Sequence, residues 1–162
     1  LFRISPLGAY EITMGKYASY FLLTALLAVL LSLLMHLGLG VHILGGYATY
    51  AGVLALLIAA SLSVGFFISA VSNSESQAVQ LAMLVLLASV FFSGFFIGVE
   101  SLLPFVQVVS YLLPVTYGIR GLQAVMLRGE QPPLYAVTAL AAMAIFLFVL
   151  STTIFRYQFR RG

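Results

Sequence analysis

Charged residues are scarce in this chain, and cysteine is absent altogether. Lys, Arg, Asp and Glu make up 7% of its 162 residues, whereas hydrophobic residues make up 63%. Soluble domains carry about a quarter charged residues, so this composition excludes a water-soluble fold. The lack of cysteine excludes disulfides and thiolate metal sites.

The few charges leave three long stretches without any Asp, Glu, Lys or Arg, at residues 17–74, 76–99 and 131–155. A helix rises ~1.5 Å per residue, so a hydrocarbon core of about 30 Å takes about 20 apolar residues. The first stretch is too long for one crossing, and four glycines between positions 38 and 46 divide it. The pattern predicts an all-α integral membrane protein with four transmembrane helices. These are expected at residues 17–37, 47–71, 75–97 and 133–155.

Most basic residues flank the first and last predicted crossings, namely Arg3, Lys16, Arg156, Arg160 and Arg161. Because Lys and Arg favour cytoplasmic flanks, both ends are predicted to be cytoplasmic, with residues 1–16 as an interfacial segment and 156–162 as a tail. These flanks account for the net charge of +3 without a nucleic-acid partner. With no initiator Met and no signal pattern, the chain reads as a single membrane domain from a longer protein.

Small and polar residues mark candidate contact surfaces on the second and third predicted helices. Ser61, Gly65 and Ser69 recur at spacing four, which favours close helix packing, although a polar substrate path along the hydroxyls is an alternative. On the third helix, the candidates are Ser93 and Gly94. Gly94 and Gly98 have the G-x-x-x-G spacing, which predicts another close helix contact. Between the two helices, Ser74 and Gln77 have the spacing of a capping box.

Residues 99–131 contain two apolar runs that are too short to cross, and Pro104 and Pro114 interrupt them. We therefore predict a re-entrant helical pair on the outer side. Irregular backbone at membrane depth needs protein or a water-filled cavity around it, so this element suggests a gate or vestibule. Glu100 and Arg120 are expected within ion-pair reach, the alternative being that both reach the headgroups.

The motifs of several enzyme classes are missing. A phosphate-binding loop requires Ser or Thr after Gly-Lys, but Tyr17 follows Gly15 and Lys16. His36 and His42 have no carboxylate nearby in the sequence, which argues against a metal or haem site. No two acids form a close pair on one predicted helix, so acid–base hydrolysis is not expected. We predict a chain that is not an enzyme and has no catalytic, cofactor-binding or metal-binding residues.

The order of several landmarks resembles the membrane subunits of type 2 ABC exporters. The late landmarks are Ser93, Gly94, Pro104, Pro114, Thr116, Tyr117, Arg120, Leu127 and Gly129. The early ones are Ser5, Pro6, Leu7, Glu11, Gly15 and Lys16. Gly98 departs from this pattern, because the family often has proline there.

The resemblance implies six crossings per protomer, of which this chain would supply the last four and the re-entrant pair. It implies a homodimer or heterodimer of permeases in a bacterial or archaeal inner membrane, bound to cytoplasmic ATPase subunits that hold ATP and Mg. The implied ATPase-facing residues are Arg3, Ser5, Pro6, Asn73 and Glu75. The implied outer-gate residues are Gly98, Glu100, Pro104, Pro114, Tyr117 and Arg120.

We therefore expect a permease that moves an amphipathic, lipid-linked or drug-like substrate outward. A non-transporting membrane scaffold is the main alternative, and it would have no ATPase partner. A passive channel would require one continuous polar face, whereas the polar stripes are interrupted.

Overall fold

The computed structural model describes residues 9–40, 43–96 and 98–161, with residues 9–13, 156 and 158–161 described by their backbone alone. Within these ranges the chain consists of helices and turns, with no strand. The long helices are α1 (Ala9–Leu39), α2 (Tyr47–Val71), α3 (Glu75–Phe92) and α6 (Leu134–Arg161). The short helices α4 (Pro104–Leu112) and α5 (Pro114–Gln123) lie between α3 and α6 in the sequence, with a 3-10 turn at Val99–Ser101 and a π-helical turn at Ala124–Arg128.

Four helices are long and apolar enough to span a membrane, which confirms the predicted all-α membrane fold. The spans are Met14–Leu39, Tyr47–Val71, Glu75–Phe92 and Leu134–Phe155. Most leucines of α1 and α3 are exposed, as expected for helix faces in contact with lipid.

The start of the first helix and the end of the third helix differ clearly from the predicted boundaries, and the last helix continues to Arg161 instead of ending at 155. The first helix is continuous from Ala9, so the expected turn between an interfacial segment and the first crossing does not occur at Lys16. A single glycine, Gly15, is tolerated inside a helix and does not interrupt it. The third helix ends at Phe92, five residues before the predicted end at 97, since Gly94 adopts a left-handed conformation with φ of +86°.

The bundle is centred on α2 and α6, which pack against each other along much of their length. Ala60 and Ala70 on α2 and Ala136 on α6 are fully buried, as expected where small side chains allow close approach. The first helix contacts both central helices, α5 packs across both, and α3 contacts α2 and α4.

Tyr17 joins α1 to the central pair. Its hydroxyl donates to the backbone oxygen of Ala59 at 2.7 Å and lies 3.3 Å from the hydroxyl of Ser63. Its ring centroid lies 5.5 Å from that of Phe66 on α2 and 4.9 Å from that of Phe148 on α6. A residue expected to be the first of a helix thus anchors three helices.

Candidate functional site

The turn between α2 and α3 is polar, exposed and held by local hydrogen bonds. The backbone N–H of Gln77 donates to the Ser74 hydroxyl at 3.2 Å, and the backbone N–H of Asn73 donates to the Gln77 side-chain oxygen at 2.8 Å. The bond to the Ser74 hydroxyl is the one predicted for the capping box, whereas the Gln77 side chain bonds Asn73, one residue before the N-cap Ser74. Glu75 lies in the first turn of α3, where its charge interacts favourably with the helix dipole.

Asn73 and Glu75 are exposed in this turn and are therefore accessible to a partner protein. The other residues that the resemblance assigns to an ATPase contact are Arg3, Ser5 and Pro6. They lie outside the described residues.

Two short helices form a hairpin between α3 and α6, and a proline begins each of them. Pro104 and Pro114 occupy the first positions of α4 and α5. The preceding residues, Leu103 and Leu113, are extended, with ψ of 145° and 125°. Proline favours this arrangement because it fixes its own φ and disfavours helical backbone in the residue before it. The two breaks predicted from these prolines are confirmed.

The junction between α4 and α5 is closed by a buried hydrogen bond. The Thr116 hydroxyl donates to the backbone oxygen of Ser110 at 2.6 Å, and both residues are fully buried. Such a bond satisfies polar groups at a helix junction that would otherwise be costly in an apolar environment. The two short helices are thus held in a tight hairpin.

Two glycines of α5 seat the hairpin directly on α2. A Cβ atom at Gly118 would lie 2.5 Å from the nearest Leu57 methyl carbon, and one at Gly121 would lie 2.9 Å from Val53 Cγ1. Leu57 is ten residues beyond Tyr47, the first residue of α2, which corresponds to about 15 Å along the helix axis. The hairpin therefore extends along α2 by about half the thickness of a hydrocarbon core.

This glycine pair was not predicted from the sequence. Its signal is the spacing of three in a short helix, where two small residues lie on the same face.

The end of the hairpin is bonded to the connection between α1 and α2. The backbone N–H of Gly45 donates to the Val125 oxygen, in the π-helical turn, at 2.8 Å. Gly129 ends this turn with φ of +66°, in the left-handed region that glycine favours at helix ends, and a Cβ there would lie 3.2 Å from that of Leu44. This end of the bundle is opposite the turn between α2 and α3, because α2 connects the two.

Glu100 and Arg120 form the predicted ion pair. Arg120 Nη2 lies 2.6 Å from Glu100 Oε1, and the two side chains are 24% and 74% exposed, respectively. The Arg120 guanidinium carbon also lies 5.7 Å from the centre of the Tyr111 ring, in cation–π range. Burial tends to lower the pKa of Arg120, but a hydrogen bond with Tyr135 and the charge of Glu100 raise it overall, so its cation is firmly retained.

Tyr117 lies on α5, one turn before Arg120. Burial raises the pKa of its hydroxyl, and interaction with Tyr111 raises it further, whereas the charge of Arg120 lowers it. The neutral phenol is therefore the stable form, and Tyr117 contributes no charge to this end of the molecule at physiological pH.

A cleft of about 270 Å³ opens between the end of α3, the hairpin and the start of α6. It brings together five of the predicted site residues, Ser93, Gly94, Gly98, Glu100 and Arg120. Pro104, Pro114 and Tyr117 do not line it. Six further residues line the cleft without having been predicted from the sequence, and three of them have polar side chains, namely Gln123, Arg128 and Tyr135.

The G-x-x-x-G interpretation of Gly94 and Gly98 is wrong. Both glycines lie after the last residue of α3, so they do not share a helix face. Gly94 instead has positive φ, and a Cβ there would lie 2.9 Å from a methyl carbon of Val99. Its role is to let the chain turn into the cleft.

The stripe of Ser61, Gly65 and Ser69 on α2 is exposed, and a Cβ at Gly65 would meet no atom within 4 Å. No helix in the described part of the chain packs on it, so its role in packing stays a prediction about contacts elsewhere. The buried serine of this helix is Ser63, two residues after Ser61. Across residues 9–40, 43–96 and 98–161, no group of three or more His, Asp or Glu side chains could hold a metal ion.

Comparison with known proteins places this architecture in a family. The model of the ABC-2 type transporter family matches residues 2–127. The chain is 26% identical over 144 residues to the probable multidrug ABC transporter permease YbhS of Escherichia coli K12, covering 88% of this chain and 38% of that protein. It is 32% identical over 127 residues to the inner membrane transport permease YhhJ of the same strain, covering 78% and 34%.

The chain thus spans less than two fifths of the length of these permeases. No solved structure matches it significantly. The family model covers most of the chain, and both relatives are permeases, in agreement with the four membrane-spanning helices. The chain therefore belongs to the membrane-spanning permeases of the ABC-2 type transporter family.

Proposed function

We propose that this chain forms part of the permease of an ATP-driven exporter that moves an amphipathic, lipid-linked or drug-like substrate outward. ATP and Mg would be bound by separate or fused ATPase subunits on the cytoplasmic side. The observation that carries the proposal is the hairpin seated on α2, at the end of the bundle opposite an exposed polar turn. In this arrangement α2 is in contact with both a candidate ATPase surface and a candidate gate.

The polar turn is a suitable surface for an ATPase because its backbone is fixed before binding. The hydrogen bonds between Ser74, Gln77 and Asn73 hold the start of α3, while the Glu75 side chain remains free for contact. A rigid turn can transmit a displacement to α2 without first losing its own structure. We propose that it faces the cytoplasm, together with both ends of the chain.

The hairpin is a suitable outer gate because it moves with α2. Gly118 and Gly121 allow α5 to contact Leu57 and Val53 closely, so a displacement of α2 displaces α5 as well. Glu100 and Arg120 both line the cleft and form an ion pair, which would then hold the gate closed until α2 moves.

The exposed stripe of Ser61, Gly65 and Ser69 supports a dimeric permease. Small residues at spacing four allow close approach of another helix. Since no described helix of this chain covers the stripe, we propose that a second protomer, identical or related, packs there.

Co-purification of the full-length protein tests the ATPase coupling. We expect an ATPase in the complex, with turnover stimulated by a transported lipid or drug. Glu75→Arg should abolish the stimulation, whereas Glu130→Arg, which reverses an exposed charge at the opposite end, should leave it intact. Purification without any ATPase would contradict the exporter and favour the scaffold.

Accessibility labelling tests the proposed orientation. In a cysteine-free background, a membrane-impermeant maleimide applied from outside should label Glu130→Cys in intact cells and label Ser76→Cys only after permeabilisation. The reverse pattern would refute the assignment of the hairpin to the outer side.

A further inference from the structure

The cleft between the hairpin and α6 has an excess of positive charge. Its charged lining residues are Arg120, Arg128 and Glu100, which gives a net charge of +1. Glu100 neutralises Arg120 directly, at 2.6 Å. Within the described part of the chain, Arg128 has no ion-pair partner. Arg128 is therefore available to pair with an anion in this cleft.

The position of Arg128 along α2 indicates where that anion resides. The 25 residues of α2 extend about 37 Å, which exceeds a hydrocarbon core of about 30 Å, so the first residues of α2 reach the headgroup region. Gly45, just before α2, is bonded to Val125, which is in the same π-helical turn as Arg128. Arg128 thus lies near the level of lipid phosphates.

Exposed apolar side chains flank the cleft. Leu127 precedes Arg128, and Phe95 and Phe96 follow Gly94; all three large side chains are about two-thirds exposed. Tyr135, a lining residue, is also exposed, and tyrosine is enriched at membrane interfaces. A polar, cationic cleft beside apolar surface matches a ligand with an anionic head and an acyl tail.

We propose that this cleft binds the phosphate of an anionic phospholipid headgroup, with Arg128 as the main contact. Guanidinium groups bind phosphate with charge-assisted, often bidentate hydrogen bonds. Gln123 and Tyr135, which line the same cleft, offer further donors. The assignment rests on the membrane fold and is independent of the proposed transport activity.

Native mass spectrometry of the full-length protein, released from micelles with equimolar dioleoyl-phosphatidylglycerol and dioleoyl-phosphatidylcholine, tests the proposal. We expect preferential retention of phosphatidylglycerol. Arg128→Gln should lower this retention about fivefold, the factor expected for one basic charge at an anionic membrane surface. Glu100→Gln should raise it by a similar factor, because it removes the negative charge of the cleft.

Lys16→Gln is the matched control. It removes an exposed cation in the first part of α1, whereas the cleft lies at the end of the bundle where α1 connects to α2. It should lower retention less than Arg128→Gln does, because Lys16 does not line the cleft. An equal loss in Lys16→Gln and Arg128→Gln, or no loss in Arg128→Gln, would overturn the proposal. Displacement of the lipid by millimolar inorganic phosphate would also overturn it, because the site would then recognise free phosphate. The unfolding temperature of each variant, measured alongside, separates loss of the site from loss of the fold.

Discussion

A methyl group added at Gly118 tests whether the hairpin is seated on α2. In the structure, the added Cβ would lie 2.5, 2.7 and 3.0 Å from Cδ1, Cδ2 and Cγ of Leu57. Contacts this short require Leu57 to change rotamer or α5 to move away. Overpacking of this kind costs about 1–3 kcal/mol, and the better helix propensity of alanine offsets up to about 1 kcal/mol. We expect Gly118→Ala to destabilise the protein by about 1–2 kcal/mol.

A double-mutant cycle identifies the contact responsible. Leu57→Ala removes all three crowding atoms, so Gly118→Ala should cost nothing further in that background. The expected coupling energy is the overpacking term alone, about 1–3 kcal/mol, within the range of residues in direct contact. Gly52→Ala is the matched control, since Gly52 lies in α2, outside the stripe of Ser61, Gly65 and Ser69, with no atom within 4 Å of its would-be Cβ.

The measurement is the free energy of unfolding of the full-length protein in detergent, obtained by titration with a denaturing surfactant. Gly52→Ala should be neutral or slightly stabilising because alanine favours helix. If Gly118→Ala proves as stable as Gly52→Ala, or is as destabilising in the Leu57→Ala background as in the wild type, then α5 does not contact α2 as described.

Substitutions at four further residues probe the same end of the molecule by the same unfolding assay. Gly45→Ala should destabilise it, because the new Cβ would lie 2.7 Å from the Val125 oxygen that accepts the Gly45 hydrogen bond. Gly129→Ala should cost about 1–2 kcal/mol owing to its φ of +66°, whereas Gly129→Asn should cost less. Glu100→Arg and Arg120→Glu should each weaken the hairpin, and their combination should restore it; failure to restore would argue against the pair. The stability regained by the combined variant should not exceed about 1 kcal/mol, since the Glu100 side chain is 74% exposed.

The features that could be predicted from the sequence are those with local causes. Pro104 and Pro114 act on their own backbone and on the preceding residue, so they mark helix starts wherever they occur. The bonds between Ser74 and Gln77 likewise involve residues within one turn. The pairing of Glu100 with Arg120 was also predictable, because so few charges are available near the hydrocarbon.

Which side of each helix is buried could not be predicted. Apolar residues surround α2 almost evenly, so no face stands out as the core. Ser61 and Ser63 differ by about 200° around the helix at ~100° per residue, and it is Ser63 that packs inside, against Tyr17. In lipid, side chains facing a helix and side chains facing acyl chains are drawn from the same residue types.

The hairpin has two contacts that fix its orientation relative to α2. Gly45 binds the π-helical turn directly before α2 begins, and Leu57 packs on Gly118 about 15 Å further along. An element held at two separated points follows the helix that holds it and does not tilt independently. We therefore expect any displacement of α2 to be absorbed on the other side of the hairpin, between Phe92 and Pro104. That segment has no α-helical backbone among its described residues and includes Gly94 with positive φ, so it can change conformation at lower cost than the packed helices.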